Sequence, residues 1–159
     1  MTASPHPELP TDLVVTDAAT PADIAVISDA LDFFNTENTG VADRRPLAVL
    51  IRDRQTHHVV GGLTGRTSLG LFFIDLLYLP PQLRGGGLGR EILRRAEGEA
   101  RARGCRAAVL YTISFQAPGF YLKQGWERLG EVPCDPPGTS RVFMTKELAM
   151  PTGNPVRSP

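Results

Sequence analysis

Gly85, Gly86, Gly87 and Gly89 crowd into five positions beside Arg84, directly after an apolar run that ends at Pro80-Pro81. A helical pattern begins at Leu88. A strand that enters a glycine turn and then a helix is an anion-binding arrangement. The first N–H groups of the helix lack intrahelical acceptors, and the helix dipole favours negative charge there. Glycines let the backbone approach a phosphate and take positive φ. Arg84 adds a planar, permanently charged fork. Two familiar phosphate motifs fail on spacing. No Gly-Lys-Ser/Thr occurs, which excludes a P-loop, and a GxGxxG count from Gly85 ends on Arg90. What remains is Arg84-x-x-Gly87-x-Gly89, and the plainer alternative is a tight turn with no ligand.

Other chemistry-bearing residues are sparse. Cys105 and Cys134 stand alone, without CxxC or Cys/His spacing, so no structural zinc site is expected and a metal is not called for. Two isolated cysteines fit a reduced, cytoplasmic protein. His57 and His58 fall in a predicted turn and are expected to face solvent. The chain has 159 residues, 42% of them apolar, which suits one folded domain. Its formal net charge is zero, which argues against a nucleic-acid module. No stretch approaches a membrane span, and residues 1–12 do not read as a secretory signal. Residues 1–11 and 150–159 are rich in Pro, Ser, Thr and Gly and are expected to be flexible tails, leaving a single domain over 12–149.

The elements that must position the turn follow from periodicity. Residues 13–16 are a short β-rich run. Thr20 and Pro21 begin a helix in which Ile24, Ile27, Leu31 and Phe34 recur at helical spacing. Residues 47–53 and 59–67 read as a hairpin, with Gly61-Gly62 marking a bulge. Residues 69–80 read as a central strand buried on both faces. A helix over 88–103 has Leu88, Ile92, Leu93, Ala96 and Ala100 as its apolar stripe, and Glu91/Arg95, Glu97/Arg101 and Glu99/Arg103 as i,i+4 pairs on the wet side. Gly104 suits its C-cap. Gly98 lies inside this helix at a cost of about 1 kcal/mol against Ala. Residues 105–112 are the next strand, residues near 117–125 a short helix, and two closing strands surround a Pro/Gly loop. The strand, helix and strand around the glycines predict a parallel pair with a right-handed crossover. The other neighbours read as antiparallel, so the expectation is an α/β (α+β) fold with a mixed sheet flanked by helices.

The segment LYLPPQLRGGGLGREILRRAEGEARARGC resembles the acetyl-CoA-binding motif of the GNAT N-acetyltransferases, [RQ]-x-x-G-x-[GA]. AVLYTISFQAPGFYLKQGWERLG resembles the family's downstream motif. It reads Ser114-x-x-Ala117-x-x-Phe120-Tyr121 and then Gly125-Trp126. The resemblance implies a mostly antiparallel sheet of about six to seven strands. It implies acetyl-CoA as co-substrate, direct attack by a primary amine on the thioester, a small-molecule or peptide acceptor, and a homodimer. It places the CoA pyrophosphate on Arg84, Gly85, Gly86, Gly87, Leu88 and Gly89, with Arg90 nearby. It places the pantetheine arm along Leu77, Tyr78 and Leu79. A backbone N–H near Leu77 could stabilise the oxyanion.

Tyr121 matches the family tyrosine that protonates the leaving thiolate, its alternative being a packing role. Ser114 stands where the family often has Asn and could still hydrogen-bond water or the pantetheine arm. Asp75, inside an apolar strand, is the candidate base if burial raises its pKa. An ion pair or an edge-facing acid is the alternative there. His57 and His58 are weaker candidates for that role. Trp126 reads as core and Cys105 as inert. The acceptor would be set by loops around 34–45 and 132–141. A non-catalytic acyl-CoA sensor or scaffold is the alternative function.

Overall fold

The computed structural model describes residues 12–148. The two predicted tails lie outside the described residues, as does Ala149. The chain divides into two compact units between Ala42 and Asp43. In the first, α1 (Pro21–Thr39) begins as Thr20 and Pro21 predict. The Asp23 N–H donates to Thr20 Oγ1 at 3.2 Å and the Thr20 N–H donates to the Asp23 carboxylate at 2.8 Å, a reciprocal capping box. Gly40 closes the helix with φ 71°. Residues 13–16, expected as a strand, are irregular. β-propensity over four residues does not make a strand without a ladder to join.

The second unit is a six-stranded sheet in the order β1-β2-β3-β4-β6-β5. Its strands are β1 (Arg45–Arg52), β2 (Val59–Ser68), β3 (Leu71–Tyr78), β4 (Ala107–Ile113), β5 (Glu127–Cys134) and β6 (Thr139–Glu147). Only β3 and β4 run parallel; every other pair is antiparallel. The mixed, mostly antiparallel sheet is therefore as the sequence predicts. α2 (Leu88–Ala102) makes the crossover between β3 and β4, and α3 (Pro118–Lys123) follows β4. Alternation decides the faces. Phe72, Ile74, Ala108, Leu110, Val142 and Met144 are buried toward Ile92, Leu93, Ala96 and Ala100 of α2. A bulge lies beside the Gly61-Gly62 pair rather than on it: Leu50 pairs with Gly62, Ile51 with Gly61 and Arg52 with Val59, which leaves Val60 as the extra residue.

The apolar stripe of α2 is as predicted, with one exception. Glu97, expected on the wet side, is 4% exposed. It sits one turn from Leu93, inside the stripe rather than beside it. Its carboxylate takes three cationic or N–H partners: Lys146 Nζ at 2.8 Å, Arg101 at 3.4 Å and Trp126 Nε1 at 3.1 Å. Lys146 also donates to the Gln124 carbonyl at 2.7 Å. The group thus ties α2, the end of α3 and β6 together. Glu97→Ala leaves Lys146 half-buried without its anion. It is expected to destabilise by about 3–5 kcal/mol, read as a lowered denaturant midpoint.

Gly98 is different. A Cβ there would meet nothing within 4 Å, so close packing does not explain the glycine. Gly98→Ala is expected to raise stability by about 0.5–1 kcal/mol in the same assay.

The long apolar run does not stay buried to its end. Asp75 and Leu76 are both exposed. Thr64 pairs with Leu76 and Gly65 with Ile74, which leaves Asp75 as the extra residue of a bulge in β3. Gly65 belongs to this feature, since a Cβ on it would lie 2.1 Å from the Phe73 carbonyl oxygen.

Candidate active site

The bulge coincides with a separation of the two parallel strands. β3 and β4 pair only at Leu71–Ala107, Phe72–Ala108 and Phe73–Val109. Beyond that point β4 stays on β6 through Ile113, while β3 stays on β2 through Tyr78. The facing edges of residues 74–78 and 110–113 therefore have no strand partner, in the middle of the sheet. Unpaired backbone N–H and C=O groups need partners, and an extended amide-bearing molecule supplies them as an added strand does. Leu77 and Tyr78 lie on that edge. Leu79, just past the strand, gives its carbonyl to Arg84 Nε at 2.9 Å.

The glycine turn stands at the end of this split. Pro80 and Pro81 end the ladder, Pro81–Leu83 form one 3-10 turn, and Gly85 and Gly87 take φ 81° and 83°. Gly87 is the N-cap of α2 and carries no side-chain cap. The first N–H groups of the helix, from Leu88 through Arg90, have no acceptor within it. α1 shows the contrast, because there a side chain fills the same position. A Cβ on Gly85, Gly86 or Gly87 would meet nothing within 4 Å. The face of the turn is open, as an anion cradle requires. Arg84, the residue before it, donates from Nε to the Leu79 carbonyl, with its guanidinium 6.0 Å from the Tyr78 ring centroid. Gly89 faces inward, toward Phe120 and Leu79.

Phe120 leads to Tyr121, which is 5% exposed and packs edge-on between Phe120 and Trp126. Burial pushes its phenol up to about 12. Its hydroxyl makes no hydrogen bond among the described residues and is not sealed from solvent. Trp126 is core, as predicted, and Cys105 is buried with its thiol pushed up, first by burial, which suits an inert role.

The remaining candidates are placed differently from one another. Asp75 does not have the burial expected for it. It is exposed and ion-paired with Arg66 at 2.6 Å, the alternative weighed for it. Ser114 joins β4 to β6: its N–H donates to the Ser140 carbonyl at 2.9 Å, and its Oγ accepts from the Ser140 N–H at 3.1 Å. His57 and His58 lie exposed in the turn between β1 and β2.

Two features escaped the sequence reading. Gln116 Oε1 accepts from the Ile113 N–H and from Thr112 Oγ1, fixing the end of β4 beside the split. The buried Glu97 group was signalled by Trp126, because a core indole N–H requires an acceptor.

Residues 17–126 match the model of the acetyltransferase (GNAT) family, more than half of the chain. The acetyltransferase Atu2258 of Agrobacterium fabrum is 33% identical over 86% of this chain and 99% of its own length. Blasticidin-S acetyltransferase of Streptomyces morookaense is 36% identical over 69% of this chain and 83% of its own. A solved structure from Agrobacterium tumefaciens, described as an acetyltransferase, superposes with a TM-score of 0.77 at 32% identity, covering 86% of this chain and 99% of that one. The open glycine turn, the split sheet and these likenesses agree, and the chain belongs to the GNAT family of acetyltransferases.

Proposed function

We propose that the protein transfers an acetyl group from acetyl-CoA to a primary amine on a small molecule, by direct attack on the thioester. The observation that carries this is the opening between β3 and β4 beside an uncapped, unobstructed helix N-terminus. A CoA diphosphate fits the N–H groups of residues 85–90, with the free guanidinium nitrogens of Arg84 and the Arg90 side chain beside it. The amides of the pantetheine arm fit the unpaired edge at Leu77 and Tyr78, and Ser114 lies at the end of the opposite edge.

The amine nitrogen bonds to the thioester carbon, the C–S bond breaks, the nitrogen loses a proton and the sulfur gains one. A backbone N–H near Leu77 donates to the developing oxyanion. The raised phenol of Tyr121 refines its part. Free transfer of its proton to a thiolate of ordinary pKa, about 8.5, is uphill by about 5 kcal/mol. Tyr121 therefore keeps its proton and acts as a neutral hydrogen-bond donor to the departing sulfur, and the proton that nitrogen loses goes to that sulfur. Asp75, exposed on β3 just past the last β3–β4 pair and ion-paired through Oδ1 with Arg66, turns its other oxygen toward the acceptor ammonium, which gives its first proton to water before it attacks. The blasticidin-S relative is named for a small molecule, which supports that acceptor class. The free cysteines fit a reducing, cytoplasmic setting.

A sensor without catalysis is not favoured, since the relatives are named as transferases. Calorimetric titration of acetyl-CoA tests the reading. Binding is expected, and its absence in the wild type overturns it.

A further inference from the structure

The core face of the sheet is filled by the packing of α2, so the opposite face is where an acceptor can meet the split. On that face, within the sheet unit, two charged groups flank the opening. On the β3 side, Asp75 pairs with Arg66, whose guanidinium lies 4.6 Å from the Phe73 ring centroid. On the β4 side, Tyr111 is the first residue past the last parallel pair whose side chain alternates onto this face. It is 60% exposed and packs against Phe143 with ring centroids 5.7 Å apart. Arg141, paired in register with Ile113, places its guanidinium 5.6 Å from the Tyr111 centroid.

The Arg141 side chain makes no ion pair or hydrogen bond among the described residues. Glu131, the acid on the neighbouring strand, is engaged by Arg128 at 3.6 Å and by the Ser140 hydroxyl. The aromatic pair props a guanidinium, with its donors free, across the opening from a carboxylate. Such a fork is suited to a carboxylate or phosphate.

Resting on the transfer reading above, we propose that the acceptor carries an anionic group besides its amine, and that Arg141 is the specificity-determining residue that holds it. The Asp75 oxygen that Arg66 does not engage faces the ammonium end and Arg141 the anionic end, so the amine is oriented across the split. A simple amine satisfies only half of this arrangement.

The test uses acceptors in matched pairs: a series of α- to ω-amino acids, each with its primary amide, and O-phosphoethanolamine with ethanolamine. Thiol release and calorimetric binding to the CoA-loaded protein are both read. The wild type is expected to favour the better anionic series over its neutral partners by about 10- to 100-fold in kcat/KM and in affinity. The series that shows the preference identifies carboxylate or phosphate. Arg141→Gln is expected to remove the preference by raising KM for the anionic acceptors, with kcat and the neutral partners unchanged. Arg141→Lys is expected to restore part of it.

Equal use of both members of every pair by the wild type overturns the proposal. So does an Arg141→Gln variant that weakens both members alike. Acetyl-CoA binding is measured separately in each protein. Loss there speaks against the transfer reading, whereas the acceptor preference in binding speaks to Arg141 alone.

Discussion

Replacing Gly86 by glutamate is expected to weaken acetyl-CoA binding by as much as about 1000-fold while leaving the fold intact. Of the three consecutive glycines it is the cleanest probe. Gly85 and Gly87 have φ 81° and 83°, so any side chain there strains the backbone whatever else it does. Gly86 has no positive φ, and a Cβ on it meets nothing within 4 Å. An exposed substitution of this kind changes stability by about 0.5 kcal/mol at most. The new carboxylate, however, would stand where the diphosphate lies. A like charge at about 4 Å costs roughly 1 kcal/mol in water and about 4 kcal/mol near a protein surface. That is about a 5- to 1000-fold loss of affinity before the steric term. Calorimetry reads the loss, and an unchanged melting temperature shows that it is local. Gly86→Ala is expected to fall between the two. Full binding by Gly86→Glu would remove the diphosphate from this turn.

Tyr121→Phe is expected to lower kcat by about 100-fold with acetyl-CoA affinity kept, because the hydroxyl acts on the sulfur only as the C–S bond breaks. The aromatic packing on Phe120 and Trp126 survives the change. The same variant has a signature in stability. The phenol is at about 12 in the folded protein against an unfolded reference of 10.0. Below pH 10 both states keep the proton and the contribution is whole. Above it the unfolded chain ionises and the folded one does not, so stability falls until about pH 12. Two pK units correspond to about 3 kcal/mol. Unfolding measured across this window should fall more steeply for the wild type than for Tyr121→Phe. Parallel pH curves would show that the phenol is not perturbed, and an unchanged kcat would take Tyr121 out of the reaction.

The sheet, the crossover and the turn were legible because each rests on a local rule. Period-two and helical spacings mark the strands and α2, and prolines next to glycines mark where the ladder stops. What was not legible depends on contacts distant in sequence. Nothing local says that Thr64 and Gly65 face a bulge, so the exposure of Asp75 and its ion pair with Arg66 could not be read from the apolar run around it. Glu97 looked like one half of an i,i+4 surface pair, and its burial depends on Lys146, far along the chain. Residues 13–16 had strand composition without a ladder. Likewise the stretch 132–141, expected as an acceptor loop, is largely the β5 and β6 hairpin, and that is what brings Arg141 beside Tyr111. Tyr121 was named from a motif; its buried ring and free hydroxyl came only with packing.

The most direct measurement of the central claim is thiol release from acetyl-CoA across a broad panel of primary amines, with product acetylation followed by mass. The account predicts release that depends on the amine, matched by an acetylated product, and lost in Gly86→Glu. Tight acetyl-CoA binding with no amine-dependent release from any member of the panel would contradict it.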